Sequence, residues 1–570
     1  MSGTARAKAL LLVFMVSVAI PFSAHSGSFV NFETPIIHGL ALSPDGKSLA
    51  VCNLPDGHLD IYSVADSGLI GPVATIFVGL DPVSVRFQSS TEAWVVNHLS
   101  DSIAIVDIVG AKVTAILNTL ESPEDVVFAG SPRRAFVSCS RANTIQTFDA
   151  VSHLAQPVIT IDGERPKAMC VSPDGNTVYV AIFESGNSST ILASELTFLD
   201  NSPRASVVDM DIGPHSGVNP FPNLGTLFEP PISTNLTPSV PRRVSLIVKK
   251  DLSGRWMDDS NGNWTEFVSG TNAFLSGRKP GWTIPDHDVA MINTSNSVVR
   301  YIDGLMNICM DIAINPATGG INVVGTDARN ELRFEPALKG LFSRMLYAAI
   351  SANGSQKTVT DLNPHLSNSV RTLDSVARKQ SLGDPRGIVW NSRGTRVYIT
   401  GMGSNNLRML DIDGNSVGIA TDLEGGPSSL VYDENYNRLY VLGRFDGTVS
   451  VLDAETLRTI SRVSMHDPTP DSIKLGRSHF YNTQQTSGAG HLACASCHID
   501  ARFDRLAWDL GNPAGDMKIF SSTNRNFSIF VPPATNHFHP LKGPMVTQSL
   551  QDIIGHEPFH WRGDRDGLED

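Results

Sequence analysis

Short runs of alternating apolar and polar residues, separated by turns, fill the chain from about residue 35 to about residue 465. In one example, the run Pro166–Val171 is followed by a Ser-Pro-Asp-Gly turn at Ser172–Gly175 and then by the apolar run Thr177–Val180. Runs of this length with a period of two, bounded by Pro and Gly, are typical of β-strands joined by tight turns. The pattern therefore predicts a mainly β structure.

The same unit recurs along the chain at intervals of about 42 residues. Its five clearest copies begin at Pro82, Pro123, Pro166, Pro385 and Pro427. Four short strands in about 40 to 45 residues are typical of a β-propeller blade, because stacked sheets cover the faces that a single sheet cannot bury. Two less regular copies, at Pro35 and near Met310, bring the predicted count to seven blades, with six or eight as alternatives.

Two stretches depart from the repeat within the predicted propeller, which covers residues 30–466. Residues 186–286 are rich in Pro, Gly, Ser and Asn, and they predict an insertion outside the ring of blades. A helix is predicted within Leu332–Ala352, because apolar residues there recur at helical spacing. These residues are Leu338, Leu341, Phe342, Met345 and Leu346.

The segment after the repeat carries a candidate cofactor motif. Cys494, Cys497 and His498 form a Cys-x-x-Cys-His sequence, the pattern for covalent attachment of a c-type haem. The two thiols can bond to the vinyl groups on one haem edge, and the next imidazole becomes the proximal iron ligand. A Cys-x-x-Cys pair alone would equally fit a redox dithiol or a zinc site, and the histidine favours haem. The predicted cofactor is one covalent haem c.

The ligand on the other side of the iron is open to several candidates. Met545, in a Gly-Pro-Met turn, is the first candidate, and its alternative role is ordinary core packing. An open sixth position, suited to peroxide chemistry, is a further alternative. The rival ligands are Met517, His537, His539, His556 and His560.

The start of the chain predicts export. Arg6 and Lys8 precede the apolar run Ala9–Ile20, and small residues follow, which is typical of a cleaved secretory signal over residues 1–26. The run is short for a membrane span, so we expect no transmembrane segment in the mature chain, with an uncleaved anchor as the alternative. The predicted localisation is periplasmic or extracellular, which agrees with completion of c-type haem attachment outside the cytoplasm.

Four further cysteines are predicted to be buried and unpaired, because each lies in or beside a strand-like run. Disulfides among them are the alternative in an oxidising compartment. The four residues are Cys52, Cys139, Cys170 and Cys309.

Two family resemblances follow from these residues. The Ser-Pro-Asp-Gly turn followed by a Val-Tyr-Val strand resembles the YVTN-type propellers of exported bacterial proteins. The haem motif, with Gly476–Tyr481 before it and Thr547–Leu550 and Glu557–Arg565 after it, resembles the opening of bacterial dihaem cytochrome c peroxidase-like domains. This second resemblance implies a small α-helical cytochrome c domain over residues 471–570.

The chain departs from the second family in two respects. Gln548 stands where that family usually has proline, and a single haem motif is present whereas the peroxidases need two. The sequence stops at Asp570, where the next helix of the family would begin. We therefore expect a fragment, and a second haem domain further along is an alternative.

Charge and composition narrow the class of function. A net charge of −13 without a basic stripe argues against a nucleic-acid partner. The sequence predicts an exported c-type cytochrome that exchanges electrons with a redox partner protein and uses its propeller as a docking or ligand-binding platform. The alternatives are a peroxidase-like oxidoreductase, completed by a second haem domain beyond this chain, and a non-enzymatic surface or sensing propeller.

Overall fold

The computed structural model describes residues 31–196, 245–259, 261–332, 340–368, 370, 372–510, 518–519, 537–538 and 543–559. Among these residues, seven four-stranded antiparallel sheets follow one another along the chain, numbered here sheets 1 to 7. Each sheet uses its strands in chain order, and sheet 4 takes its last two strands after a long excursion. The fold is mainly β, which confirms that part of the sequence prediction.

The strands of sheet 1 are Leu40–Leu42, Ser48–Asn53, His58–Val64 and Ile70–Phe77. The strands of sheet 2 are Pro82–Ser89, Glu92–Asn97, Ser102–Asp107 and Lys112–Asn118. The strands of sheet 3 are Pro123–Ala129, Arg134–Cys139, Thr144–Asp149 and Ala155–Thr160. The strands of sheet 4 are Glu164–Val171, Thr177–Glu184, His287–Asn293 and Val299–Asp303. The strands of sheet 5 are Ile308–Ile314, Ile321–Ala328, Ser343–Ile350 and Lys357–Asp361. The strands of sheet 6 are Pro385–Trp390, Arg396–Gly401, Asn406–Asp411 and Thr421–Asp422. The strands of sheet 7 are Pro427–Asp433, Arg438–Gly443, Thr448–Asp453 and Thr459–Ser464.

Burial along the strands explains the hydrophobic pattern. The second strand of sheet 2, Glu92–Asn97, is buried at every position after its first, because neighbouring sheets cover both of its faces. The outer strand Lys112–Asn118 instead alternates between exposed and half-buried residues, since one of its faces meets water. Gly175 closes the turn into Thr177–Glu184 with a φ of 72°, in the left-handed region that favours glycine.

The first strands of successive sheets contact one another, and that of sheet 7 contacts that of sheet 1. Ser429 joins the two ends of this ring: its Oγ donates to the Ile37 carbonyl at 3.0 Å and accepts from the Gly39 amide at 3.2 Å. The Tyr440 hydroxyl oxygen of sheet 7 also lies 3.0 Å from the Gly68 carbonyl oxygen. A closed ring of four-stranded sheets is the arrangement of a β-propeller.

The prediction of a helix within Leu332–Ala352 is wrong. Ser343–Ile350 is a strand of sheet 5 that is hydrogen-bonded to strands on both sides, and residues 333–339 lie outside the described part. Met345 and Leu346 are both buried, because both faces of this strand are covered. A run with apolar residues on both faces satisfies helical and strand spacing alike, which explains the error.

The described residues between Glu184 and His287 form a separate small layer. Its strands are Ser189–Leu192, Leu246–Lys250 and Trp256–Met257, with helical turns at Thr265–Val268 and Ala273–Ser276. Its own apolar cluster includes Trp256, Trp264 and Phe267. The layer therefore has a core of its own, and the sequence prediction placed an insertion at residues 186–286.

The C-terminal segment, defined here as the described residues from 471 to 559, follows the last sheet. Its elements are the helices Asp471–Tyr481 and Thr483–Thr486, the 3₁₀ turns Cys494–Ser496 and Ile499–Ala501, and the two-stranded ladders Ala507–Asp509 with Pro544–Val546 and Lys518–Ile519 with His537–Phe538. The helical turns Leu54–Asp56 and Ser375–Lys379 complete the described elements. None of the helices that the structure describes is long and apolar enough to cross a membrane.

A charged histidine links three sheets inside the ring. His38, just before sheet 1, has its Nδ1 at 2.8 Å from Asp125 Oδ2 of sheet 3 and its Nε2 at 3.1 Å from Asp311 Oδ1 of sheet 5. Burial and the charge of Arg86 push the pKa of His38 down, but the two carboxylates outweigh them and raise it to about 9. His38 is therefore a cation at neutral pH.

We predict that His38→Gln lowers the free energy of unfolding by roughly 2 to 3 kcal/mol at pH 6. Because the folded pKa lies above the unfolded value of 6.5, this stabilisation is complete below that pH and is lost as the pH rises through about 9. Urea unfolding at a series of pH values measures it. Equal pH slopes for the wild type and His38→Gln would contradict the prediction. The control is His556→Gln, whose side chain is 70% exposed.

Candidate functional site

The helix before the haem motif is held against the ring by Glu33. Arg477 Nε lies 2.9 Å from Glu33 Oε1, and the Tyr481 hydroxyl donates to Glu33 Oε2 at 3.0 Å. Tyr481 is buried together with Met402, at the end of sheet 6, and Ala495 of the motif. The helix begins at Asp471, with Pro470 as its cap residue.

The motif itself forms a 3₁₀ turn at Cys494–Ser496. The His498 amide donates to the Cys494 carbonyl at 3.0 Å, which continues the turn through the motif. Side chains three residues apart in such a turn lie on one face, so the two thiols point to the same side. Both are free thiols, with Cys494 exposed and Cys497 half-buried against Leu506 and Trp508.

Cys497 lies in a buried environment with a carboxylate nearby. Burial raises the pKa of the Cys497 thiol well above its usual value, and the charges of Asp504 and Cys494 act in the same direction. The nucleophile of a redox dithiol is the exposed thiol with the lowered pKa, so a buried second thiol fits a redox dithiol as well as haem attachment. The histidine that follows the two cysteines is what favours haem.

His498 has the tautomer of a metal ligand. Its Nδ1 lies 2.7 Å from the backbone carbonyl oxygen of Gln548. Because a carbonyl only accepts hydrogen bonds, Nδ1 carries the proton, and the lone pair of the neutral ring is on Nε2. Histidines that bind metals typically donate their other ring N–H to a carbonyl in this way. The thiols and this imidazole together fit a c-type haem.

Met545 lies on the ladder beside this site. The strand Pro544–Val546 pairs with Ala507–Asp509, and Met545 stands directly opposite Trp508. The indole N–H of Trp508 donates to Asp504 Oδ2 at 2.8 Å. The structure thus brings Met545, Trp508 and Cys497 into one neighbourhood, and the role of Met545 as an iron ligand stays a prediction.

The rival ligands are placed less fully. His556 is exposed, and its Nε2 lies 3.9 Å from Asp552 Oδ2. Met517, His539 and His560 lie outside the described residues, and so does the side chain of His537.

The residues directly after the motif enter the ring. Asp500 is 3% exposed, and its Oδ1 lies 3.1 Å from Arg386 Nη2 and 3.5 Å from Arg444 Nη1. Burial would raise the pKa of Asp500, but Arg386 and Arg444 outweigh it and lower the pKa to about 2. Asp500 is therefore ionised, and it fastens the chain two residues after His498.

The backbone and an apolar contact support the same fastening. Asp500 and Ala501 have φ values of 52° and 58°, which L-residues seldom adopt. Ile499 packs against Phe183 of sheet 4 and against Ile308 and Met310 of sheet 5. Strained residues of this kind persist only where surrounding contacts hold them. The turn is therefore fixed by its packing and its two arginines.

A second set of ion pairs holds the segment to sheet 4. Arg505 Nη1 lies 3.0 Å from Glu164 Oε2, and its Nε lies 2.6 Å from Glu184 Oε2. Asn330 donates to the Ala507 carbonyl at 2.8 Å and to Ser189 Oγ at 2.9 Å, which connects the ladder to the insertion. The segment is thus held to the ring from several sides.

The sequence analysis missed these contacts, although one signal for them exists. The residue after the repeat proline is charged in three repeats, as Glu124, Lys167 and Arg386. Because equivalent repeat positions lie at the same end of a ring, this shared position indicates a charged rim there. Its partner Asp500 has no comparable signal in the sequence.

No family model matches the chain, and no curated protein matches it. Solved structures with similar folds include Kuenenia stuttgartiensis hydrazine synthase, at 16% identity and a TM-score of 0.46, covering 75% of this chain and 99% of the other. Another is the dihydro-heme d1 dehydrogenase NirN in complex with DHE, at 9% identity and a TM-score of 0.39, covering 76% and 68%. A third is virginiamycin B lyase from Staphylococcus aureus, at 8% identity and a TM-score of 0.37, covering 68% and 84%. Because the sequence identities and TM-scores are low, the functions of these three proteins are not attributed to this chain.

We predict that Asp500→Asn loosens the C-terminal segment. Removing this buried charge leaves Arg386 paired with Asp384 alone and Arg444 paired with Glu33 alone, at a cost of about 3 kcal/mol. Hydrogen exchange should then speed up in the amides of residues 494–505 before it does so in the strands of the ring. Unchanged protection of these amides would contradict the prediction. The control is Asp552→Asn, whose side chain is 95% exposed.

Proposed function

We propose that this protein is an exported c-type cytochrome that transfers electrons, with one haem c held by Cys494, Cys497 and His498 beside a seven-bladed propeller. The observation that supports it most is the 2.7 Å hydrogen bond from His498 Nδ1 to the Gln548 carbonyl. This bond selects the tautomer that an axial ligand needs and fixes the orientation of the ring.

The departure at Gln548 is compatible with this function. Its contribution is a backbone carbonyl oxygen, which proline would supply equally, so the usual residue of the family is not required for it. The half-buried Cys497 and the apolar side chains of Leu506 and Trp508 form one wall of the site. Such a wall keeps water away from a bound cofactor and thereby influences its potential.

A covalently held haem supplies a one-electron iron couple. Cys494 and Cys497 would hold it through thioether bonds and His498 would bind its iron, while the Asp500 contacts fix the turn after His498. Cys494 is exposed, so a cofactor bonded to it would be within reach of a redox partner at the protein surface. Such encounters use small interfaces. The ring of sheets is then the platform against which the partner docks.

The proposed export and the proposed sixth ligand complete this function. Residues 1–26 act as the signal peptide, and attachment takes place outside the cytoplasm, in the periplasm or beyond. Met545 on the other side of the iron would stabilise the reduced state and suit electron transfer.

We predict that His498→Ala abolishes the low-spin haem spectrum, whereas Gln548→Pro preserves it. The first variant removes the axial imidazole, while the second keeps the carbonyl to which Nδ1 donates. Absorption spectra of the oxidised and reduced proteins, co-expressed with a haem-attachment system, make the comparison. A wild-type spectrum in His498→Ala, or its loss in Gln548→Pro, would argue against the assignment of His498.

We predict that Met545→Ala lowers the reduction potential by on the order of 0.1 V, within the range of about 0.8 V that axial ligands span. The variant should also lose the absorption band of methionine-ligated iron and bind carbon monoxide. Met257→Leu, in the insertion, is the matched control. An unchanged reduction potential in Met545→Ala would show that Met545 is not an iron ligand. Rapid binding of peroxide to the wild-type iron would instead favour the peroxidase-like alternative.

A further inference from the structure

The ring has a second opening, at the end where the first strands of the sheets finish. Pockets for small organic ligands measure about 300 to 1,000 Å³, and this funnel measures about 730 Å³. Apolar side chains such as Phe87, Phe128, Val171, Ile314 and Leu430 line it. The opposite end of the ring receives Ile499 and Asp500 of the C-terminal segment.

Arg86 lies on the inner wall of this funnel with its hydrogen bonding incomplete. Its Nη2 donates to the Met169 carbonyl at 3.4 Å, and its Nε is buried without a hydrogen-bond partner among the described residues. Its Nη2 also lies 3.5 Å from Asp125 Oδ2, a long distance for an ion pair. A guanidinium has five N–H donors, and the Arg86 side chain is 29% exposed, so donors remain that a ligand in the funnel can reach.

Asp125 is not free to satisfy Arg86 more closely. Its carboxylate accepts hydrogen bonds from Ser84 Oγ at 2.6 Å and from the Val126 and Met169 amides at 2.9 and 2.8 Å. It also lies 2.8 Å from His38 Nδ1. With these partners in place, the carboxylate has little remaining capacity for the guanidinium. The inner end of the funnel therefore presents an under-bonded cation.

The charges around the funnel nearly cancel, so only an anion of low charge fits beside Arg86. His38 and Arg86 balance Asp125 and Asp311, and Arg133 adds a positive charge over the Phe128 ring, at 5.2 Å from its centre. On the negative side, Glu434 lies at the exposed rim, and Asp433 is buried and accepts from the Tyr440 hydroxyl at 3.0 Å. A single carboxylate can complete Arg86, whereas a dianion would meet these acidic groups without enough compensating charge.

We propose that this funnel binds a small organic monocarboxylate, with its carboxylate against Arg86 and its apolar part along the aromatic and aliphatic wall. The pairing of a planar guanidinium with a carboxylate is bidentate and directional. The apolar wall gains from covering a hydrocarbon chain or ring. This site does not depend on the haem, so ligand binding in the funnel can be tested independently of the proposed function.

Calorimetric titration of the full chain with hexanoate tests the proposal, with hexanamide and hexylammonium as neutral and cationic probes of the same shape. We expect hexanoate to bind at least 10-fold more tightly than either probe. Only the carboxylate can form the charge-assisted bidentate contact with Arg86, and a difference of about 1.4 kcal/mol corresponds to a factor of ten in affinity. Arg86→Met should abolish the preference. The matched control is Arg300→Met, an exposed arginine on the outer strand of sheet 4, which should keep it.

Three results would overturn the proposal: no binding of hexanoate, equal binding of hexanoate and hexanamide, or an unchanged preference in Arg86→Met. Inorganic phosphate serves as a further probe, and tighter binding of phosphate than of hexanoate would also overturn it. If Arg86→Met does not fold, Arg86→Lys replaces it. Lysine keeps the charge but lacks the planar fork, so hexanoate should bind several-fold more weakly than to the wild type.

Discussion

The structure depends on one buried ion-pair cluster, in which Asp500 lies between Arg386 and Arg444. This carboxylate belongs to the second residue after His498, so the position of the proposed iron ligand is tied directly to sheets 6 and 7. Charges buried in this way are favourable only when their partners are in place. The ring and the C-terminal segment are therefore expected to depend on each other for stability.

The closed ring gives its two ends different chemistry. At the end where the first strands begin, Arg386, which follows a repeat proline, pairs with Asp500 of the C-terminal segment, and Ile499 packs against apolar residues of sheets 4 and 5. At the other end the same strands finish in apolar residues around Arg86. His38 lies between the two, where Asp125 and Asp311 stabilise its positive charge. From one end to the other, the first strands of the sheets thus contact the C-terminal segment, enclose a charged interior and line the open funnel.

The coarse fold could be predicted from the sequence because strand alternation and repeat spacing are local properties. The chemistry of the Cys494–His498 motif could also be proposed locally, since spacing alone places two thiols on one side. The strand Ser343–Ile350 was misjudged because both of its faces are covered, which removes the alternation. Asp500 could not be identified, because its importance comes from Arg386 and Arg444, which are distant in the chain and close only in the folded ring.

The most direct test of the central claim is the mass of the peptide that contains Cys494 and Cys497, taken from protein exported by a host that attaches c-type haem. We expect a peptide heavier by one haem, with neither cysteine open to alkylation. A peptide of unmodified mass, with both thiols alkylated, would contradict the proposed function, because electron transfer by this protein requires the covalent cofactor.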